Sequence, residues 1–257
     1  MEKLLIIPDI NDLENTLSLS EEYNLGFEYN DFFVPGVLDD DKAIENIVSG
    51  YKTEKLPDYT TMHGAFFDVI PFSVDEKIKE ISMLRINQSL SVAKKIGVKA
   101  VVFHTNYNSF LNSASYIDSW VKQNTEIWQG ILSENKDINI YLENMFDDSP
   151  CVLKELADNL KNNENFGICL DWAHASISDV EPCEWAKALG EYVKHVHIND
   201  NDLKSDLHLA WGSGQIDRFK FYDCYEKYFN EATVLIETSG SENKKKSLEQ
   251  LKNDKFI

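Results

Sequence analysis

Eight short runs of β-branched and apolar residues, each followed by a longer amphipathic stretch, recur from one end of the chain to the other. They occupy residues 4–8, 26–29, 60–64, 100–104, 138–143, 166–171, 193–198 and 233–237. Alternation of this kind is the pattern of βα units around a parallel sheet, and eight units in strict order suit a closed barrel better than an open sheet. The expected architecture is a single (β/α)8 barrel of the α/β class, a TIM-barrel arrangement, over residues 1–257. The clearest helix covers residues 74–96, where Ile78, Ile81, Ile86, Leu90 and Ala93 recur at helical spacing and Gly97 supplies the stop. Residues 115–132, 151–160, 218–228 and 242–251 read as further helices.

The chain carries a formal charge of −19 and two arginines, Arg85 and Arg218. Proteins bind nucleic acid chiefly through cationic contacts to phosphate, so this balance argues against a nucleic-acid partner. The apolar run at residues 4–7 is too short for a signal peptide or a membrane span, and no membrane partner is expected. Cys151, Cys169, Cys183 and Cys224 lack the paired spacing of a disulfide scaffold or zinc ribbon. Ordinary thiols in a reducing, cytoplasmic setting are expected. The oligomeric state is left open, a homo-oligomer included.

Barrels of this type build their sites at the C-terminal ends of the strands. Those ends here carry His63, His104, Glu143, Asp171, His197 and Glu237, with His174 just past the sixth run and Asp206 and His208 in the loop after the seventh. Singly, each reads as a loop anchor. Together, imidazoles mixed with carboxylates form a ligand set for a divalent metal such as zinc or manganese. His195, two residues before His197, lies deeper on the same face and reads as a hydrogen-bonded interior residue. Glu28 ends the second run, where it is placed either to orient a substrate hydroxyl or to anchor a neighbour. Phe66, Phe67, Trp172 and Trp211 are expected to border the mouth, Phe66, Trp172 and Trp211 as substrate-lining candidates.

An ordered set of short motifs runs over nearly the whole chain. It comprises Met62-His63-Gly64, Val102-Phe103-His104, Leu142-Glu143-Asn144, Cys169-Leu170-Asp171-Trp172-Ala173-His174, His197-Ile198-Asn199-Asp200, Asp206-Leu207-His208 with Gly212-Ser213-Gly214, and Ile236-Glu237-Thr238. This set resembles the xylose-isomerase-like TIM-barrel superfamily, which holds sugar phosphate isomerases and epimerases together with endonuclease IV, the AP endonuclease family 2. The resemblance implies that Glu143, Asp171, His197 and Glu237 hold one ion, that His63 and His104 with Glu143 hold a second, and that His174, Asp206 and His208 hold a third. One to three ions are expected.

The same residues support two reactions. In a sugar or sugar-phosphate isomerase or epimerase, Glu143 and Glu237 are the catalytic pair that removes and returns a proton beside a carbonyl, through an enediolate. In a trinuclear phosphodiester hydrolase, Glu143 bridges two ions that share the nucleophile. The nine filled positions favour the hydrolase. The charge, the scarcity of arginine, and Leu207 in place of the arginine usual in the nuclease motif favour the sugar enzyme. Another metal-dependent lyase or hydrolase acting on a small polyol is the third reading, and a barrel that only binds its ligand is a fourth.

Overall fold

In a strand, alternate side chains point to opposite faces, so each short run above has one row for the barrel interior and one for the helices. The computed structural model describes residues 4–52 and 54–257, and all eight runs are strands in it: β1 (Leu4–Ile6), β2 (Gly26–Tyr29), β3 (Thr60–His63), β4 (Ala100–His104), β5 (Asn139–Glu143), β6 (Phe166–Asp171), β7 (Val193–Ile198) and β8 (Thr233–Ile236). Each pairs in parallel with the next, and β8 pairs with β1, closing the barrel in sequence order. Closure leaves no free edge.

The helices are α1 (Leu13–Tyr23), α2 (Pro35–Leu38), α3 (Asp41–Tyr51), α4 (Glu76–Ile96), α5 (Ala114–Glu134), α6 (Cys151–Leu160), α7 (Trp172–Ile177), α8 (Pro182–Leu189), α9 (Arg218–Tyr228) and α10 (Ser241–Asn253). Those expected from periodicity are present. The shorter α1, α2, α3, α7 and α8 were not expected individually. Among the described residues no helix is long and apolar enough to cross a membrane.

Two hydrophobic layers result. The large one lies between the outward row of the sheet and the helices, with Val196, Ile198, Val234 and Ile236 among its members. The small one is inside the barrel and consists of Ala100, Val102, Tyr141 and Cys169. This plug closes the barrel below the site.

α4 departs from the expected stripe. Ile86, Leu90 and Ala93 are buried, whereas Ile78 and Ile81 are exposed. The buried face carries Ser82 and Ser89 instead, whose hydroxyls accept from the Ile70 and Ala65 N–H groups. The helix is turned toward the β3–α4 loop by hydrogen bonds that hydrophobic periodicity does not register. All four cysteines are free thiols, as expected, and Cys183 on α8 and Cys224 on α9 are neighbours, with their sulfurs 2.8 Å apart.

Candidate metal centre

Inward-facing positions near the strand ends bring His63, His104, Glu143, Asp171 and His197 to one level, all buried. Glu237 lies one residue past β8, where its N–H still donates to the Ile198 carbonyl. One layer deeper are Glu28, Thr61 and His195. The side chains of the upper layer form three adjoining groups.

In the central group, Glu143, Asp171 and His197 each offer an atom within 4.8 Å of the others. His197 Nδ1 is 3.4 Å from Glu143 Oε1 and 3.6 Å from Glu237 Oε2. In the second, His63 Nε2 and His104 Nε2 are 3.2 Å apart, and each is 3.3 Å from Glu143 Oε2. Glu143 thus faces one group with each oxygen. In the third, Asp206 Oδ2 lies 3.3 Å from His174 Nε2 and 2.9 Å from His208 Nε2.

These residues fit divalent ions on two grounds. Ligands about 2.0–2.2 Å from a tetrahedral ion stand roughly 3.3–3.6 Å from one another, close to the spacings observed. In addition, Glu143 Oε1, Asp171 Oδ2 and His197 Nδ1 are buried with no hydrogen-bond partner. Three unsatisfied polar atoms at one point are costly unless a further group binds them.

The imidazoles are oriented from behind. His63, His174 and His208 set Nδ1 against the carbonyls of Gly64, Asn144 and Glu237 at 2.9, 2.8 and 3.1 Å, which leaves Nε2 for the site. His197 is held by a carboxylate: its Nε2 is 3.1 Å from Glu28 Oε1. Glu28 also accepts from the Thr61 hydroxyl at 2.7 Å and faces His195 Nε2 at 3.1 Å. A carboxylate or carbonyl behind a histidine fixes its tautomer and raises its basicity as a ligand.

The electrostatics follow from crowding charges in a dry layer. Burial works against ionised Glu143, yet His197 and His104 beside it hold its carboxyl well below the usual range. Burial pushes Asp171 up to about 7; His174 opposes this, and Glu237 and Glu143 reinforce it. Burial opposes protonation of His208, but Asp206 and Glu237 lift it to about 10. Negative charge in excess of its fixed compensation is what a cation site requires.

The loop that brings Asp206 and His208 is built on Asp200. Its carboxylate accepts from the Gly212 and Ile216 N–H groups, both at 3.0 Å. A Cβ on Gly214 would lie 2.3 Å from the Asn201 carbonyl oxygen and 2.4 Å from Asp200 Oδ1, so glycine is required there. His208 takes a φ of 48°, a conformation non-glycine residues adopt at a cost.

All nine expected metal-site positions converge. Phe66 packs on His104 and His63, with ring centroids at 4.7 and 5.1 Å, and lines an adjoining cavity. Three substrate candidates do not reach the mouth. Glu28 is fully buried beneath His197. Trp172 and Trp211 pack against Phe221 in the helical layer, at 5.3 and 5.5 Å. Burying each indole there stabilises the fold by about 4–6 kcal/mol.

Two features escaped the sequence. Asn144 clamps Asp171 by accepting from its N–H at 2.9 Å and donating to its carbonyl at 3.0 Å. Its position directly after Glu143 was the available signal. Cys169, His195 and His197 also converge within 4.8 Å. Burial pushes the Cys169 thiol well up, and His195 faces Thr233 and Glu28, so this cluster belongs to the packing.

A cavity of about 680 Å³ opens beside His174, between the loops after β3, β4 and β5 and the end of α7.

The chain is 27% identical to an uncharacterized protein of Methanocaldococcus jannaschii over 202 residues, 74% of this chain and 68% of that one. It is 24% identical to apurinic-apyrimidinic endonuclease 1 of Plasmodium berghei over 204 residues, 70% of this chain and 39% of that protein. Its fold is similar to the crystal structure of a D-tagatose 3-epimerase-like protein, with a TM-score of 0.77 and 22% identity over 100% of both chains. Residues 23–253 match the family described as xylose isomerase-like TIM barrel, and the chain belongs to that family.

Proposed function

We propose that the protein is a divalent-metal-dependent isomerase or epimerase of a sugar, acting by proton transfer at a carbon beside a carbonyl. One observation carries this reading: Glu143 and Glu237, from strand ends three strands apart, bring carboxylates within 3.4 and 3.6 Å of the same nitrogen of His197. A substrate between them presents a C–H to one carboxylate and the neighbouring position to the other. One removes the proton, giving an enediolate, and the other returns a proton to the same or the adjacent carbon. Asp171, clamped by Asn144, and His197, held by Glu28, keep the pair in place. A divalent ion, zinc or manganese, held by Glu143, Asp171, His197 and Glu237 supplies Lewis-acid polarisation of the carbonyl. His63 with His104, and His174 with Asp206 and His208, would hold up to two more.

A second reading, phosphodiester hydrolysis, is favoured by the convergence of all nine donors and by the similarity to the Plasmodium berghei endonuclease. Against it stand the −19 charge and the engagement of both arginines in ion pairs, Arg85 with Asp39 and Arg218 with Asp254. Phosphate contacts supply much of the affinity for duplexes, and no arginine is left to make them.

The test is solvent deuterium exchange. Metal-supplemented protein should exchange the C–H proton beside the carbonyl of a ketose within a broad panel, and should leave an abasic-site duplex intact. Efficient incision of the duplex with no exchange across the panel would reverse the choice.

A further inference from the structure

The cavity beside His174, at about 680 Å³, has the size of an ordinary small-ligand pocket, and its walls have a definite chemistry. Phe66, Phe67, Phe110 and Phe146 contribute aromatic surface, and Phe67, Phe110 and Phe146 are left largely exposed. Asp68, Asp147, Asp148 and Asp179 contribute four carboxylates. No lysine or arginine lines it, and none of the four aspartates enters an ion pair among the described residues.

Asp147 is the informative member. It is 4% exposed; its Oδ2 accepts from the Thr105 hydroxyl at 2.8 Å and the Met145 N–H at 3.0 Å, while its Oδ1 is buried with no partner. A buried carboxylate oxygen without a donor costs free energy that a bound donor recovers. Aromatic faces attract cations through their quadrupole, and carboxylates through charge. Away from His174, which stands at the end toward the metal centre, phosphate is disfavoured by the same walls, which offer four carboxylates and no lysine or arginine.

We infer that this cavity receives the end of the substrate remote from the reacting carbons and selects a protonated amine there, making an amino sugar or amino polyol the preferred class over a sugar phosphate. The chain's strong negative charge draws such a cation from solution, where it would repel an anion. The inference deepens the isomerase or epimerase reading and rests on it for the chemistry at the ligand's other end.

Glucamine, sorbitol and gluconate share one carbon skeleton and carry a positive, neutral and negative end. Calorimetric titration of the metal-loaded full chain at neutral pH should give glucamine at least about tenfold tighter than sorbitol, with gluconate weakest. Asp147→Asn, which keeps an oxygen for Thr105 and Met145, should cut the glucamine advantage over sorbitol to about twofold or less. Asp179→Asn, at an exposed position, should reduce it partly without touching the fold. Equal affinities, undetectable binding of all three, or a glucamine preference that survives Asp147→Asn would overturn the inference. Proton exchange on ketoses together with equal affinities would keep the enzyme reading and discard this one; amine selectivity with no exchange would do the reverse.

Discussion

Cys183 and Cys224 lie 41 positions apart in the chain, yet their sulfurs are 2.8 Å apart across the α8–α9 contact. The segment between them carries His197, Asp206 and His208, so a bond here would tie down part of the site. Treatment with a small-molecule disulfide should remove two thiols and lower the intact mass by two hydrogens. Closure of a loop this long should raise Tm by about 5–10 °C, an effect absent in Cys183→Ser. Four free thiols after prolonged oxidation would rule the pairing out.

Glu237→Gln should retain the fold and lose the central ion. Elemental analysis should record a lower metal content, and turnover should fall by about 10²–10⁴. Unchanged stoichiometry and rate would remove Glu237 from the site.

Glu28→Gln is a subtler probe. Glu28 touches His197 and not the mouth, and burial of its ionised form is offset by His197 and His195, which hold its carboxyl well below the usual range. The variant should bind zinc about 10–100-fold more weakly with unchanged secondary structure. Equal zinc affinity by competition with a chelator would show that His197 needs no support.

Gly214→Ala forces a methyl into the Asn201 carbonyl and the Asp200 carboxylate. The loop must move, at a cost of about 1–3 kcal/mol by urea unfolding, and Asp206 and His208 move with it. A variant as stable as the parent, with full metal content, would mean that the loop is looser than this packing implies.

Burial pushes Asp147 up to about 6, above the value near 4 of an unfolded chain. The folded state therefore holds a proton that the unfolded state releases. Its contribution to stability is complete below pH ~4 and is lost as pH rises through about 6, amounting to about 3 kcal/mol. Measured against Asp147→Asn, the parent should lose about that much stability between acid and mildly alkaline pH. Parallel curves for the two proteins would contradict this.

Most of the site was legible because β-structure has a period of two: once residues 193–198 are a strand, His195 and His197 must share the inner face. The same rule could not place Trp172. It follows Asp171 directly but opens α7, and the helix turns it outward onto Phe221. Trp211 fails similarly, since its position is set by Ser247 and Tyr222, far along the chain. The cysteine pair and the serines of α4 are contacts between elements, which periodicity within one element does not encode.

The carbonyls behind His174 and His208 belong to Asn144, the neighbour of Glu143, and to Glu237 itself. The two carboxylates assigned to proton transfer therefore share short stretches of backbone with the supports of the outlying imidazoles. A shift of either glutamate during turnover would act as a lever on the Asp206 group. Substituting either glutamate side chain leaves that linkage in place, because main-chain oxygens accept from the imidazoles. Loading of the outlying group should thus report the position of the central glutamates, and the three groups would behave as one mechanical unit.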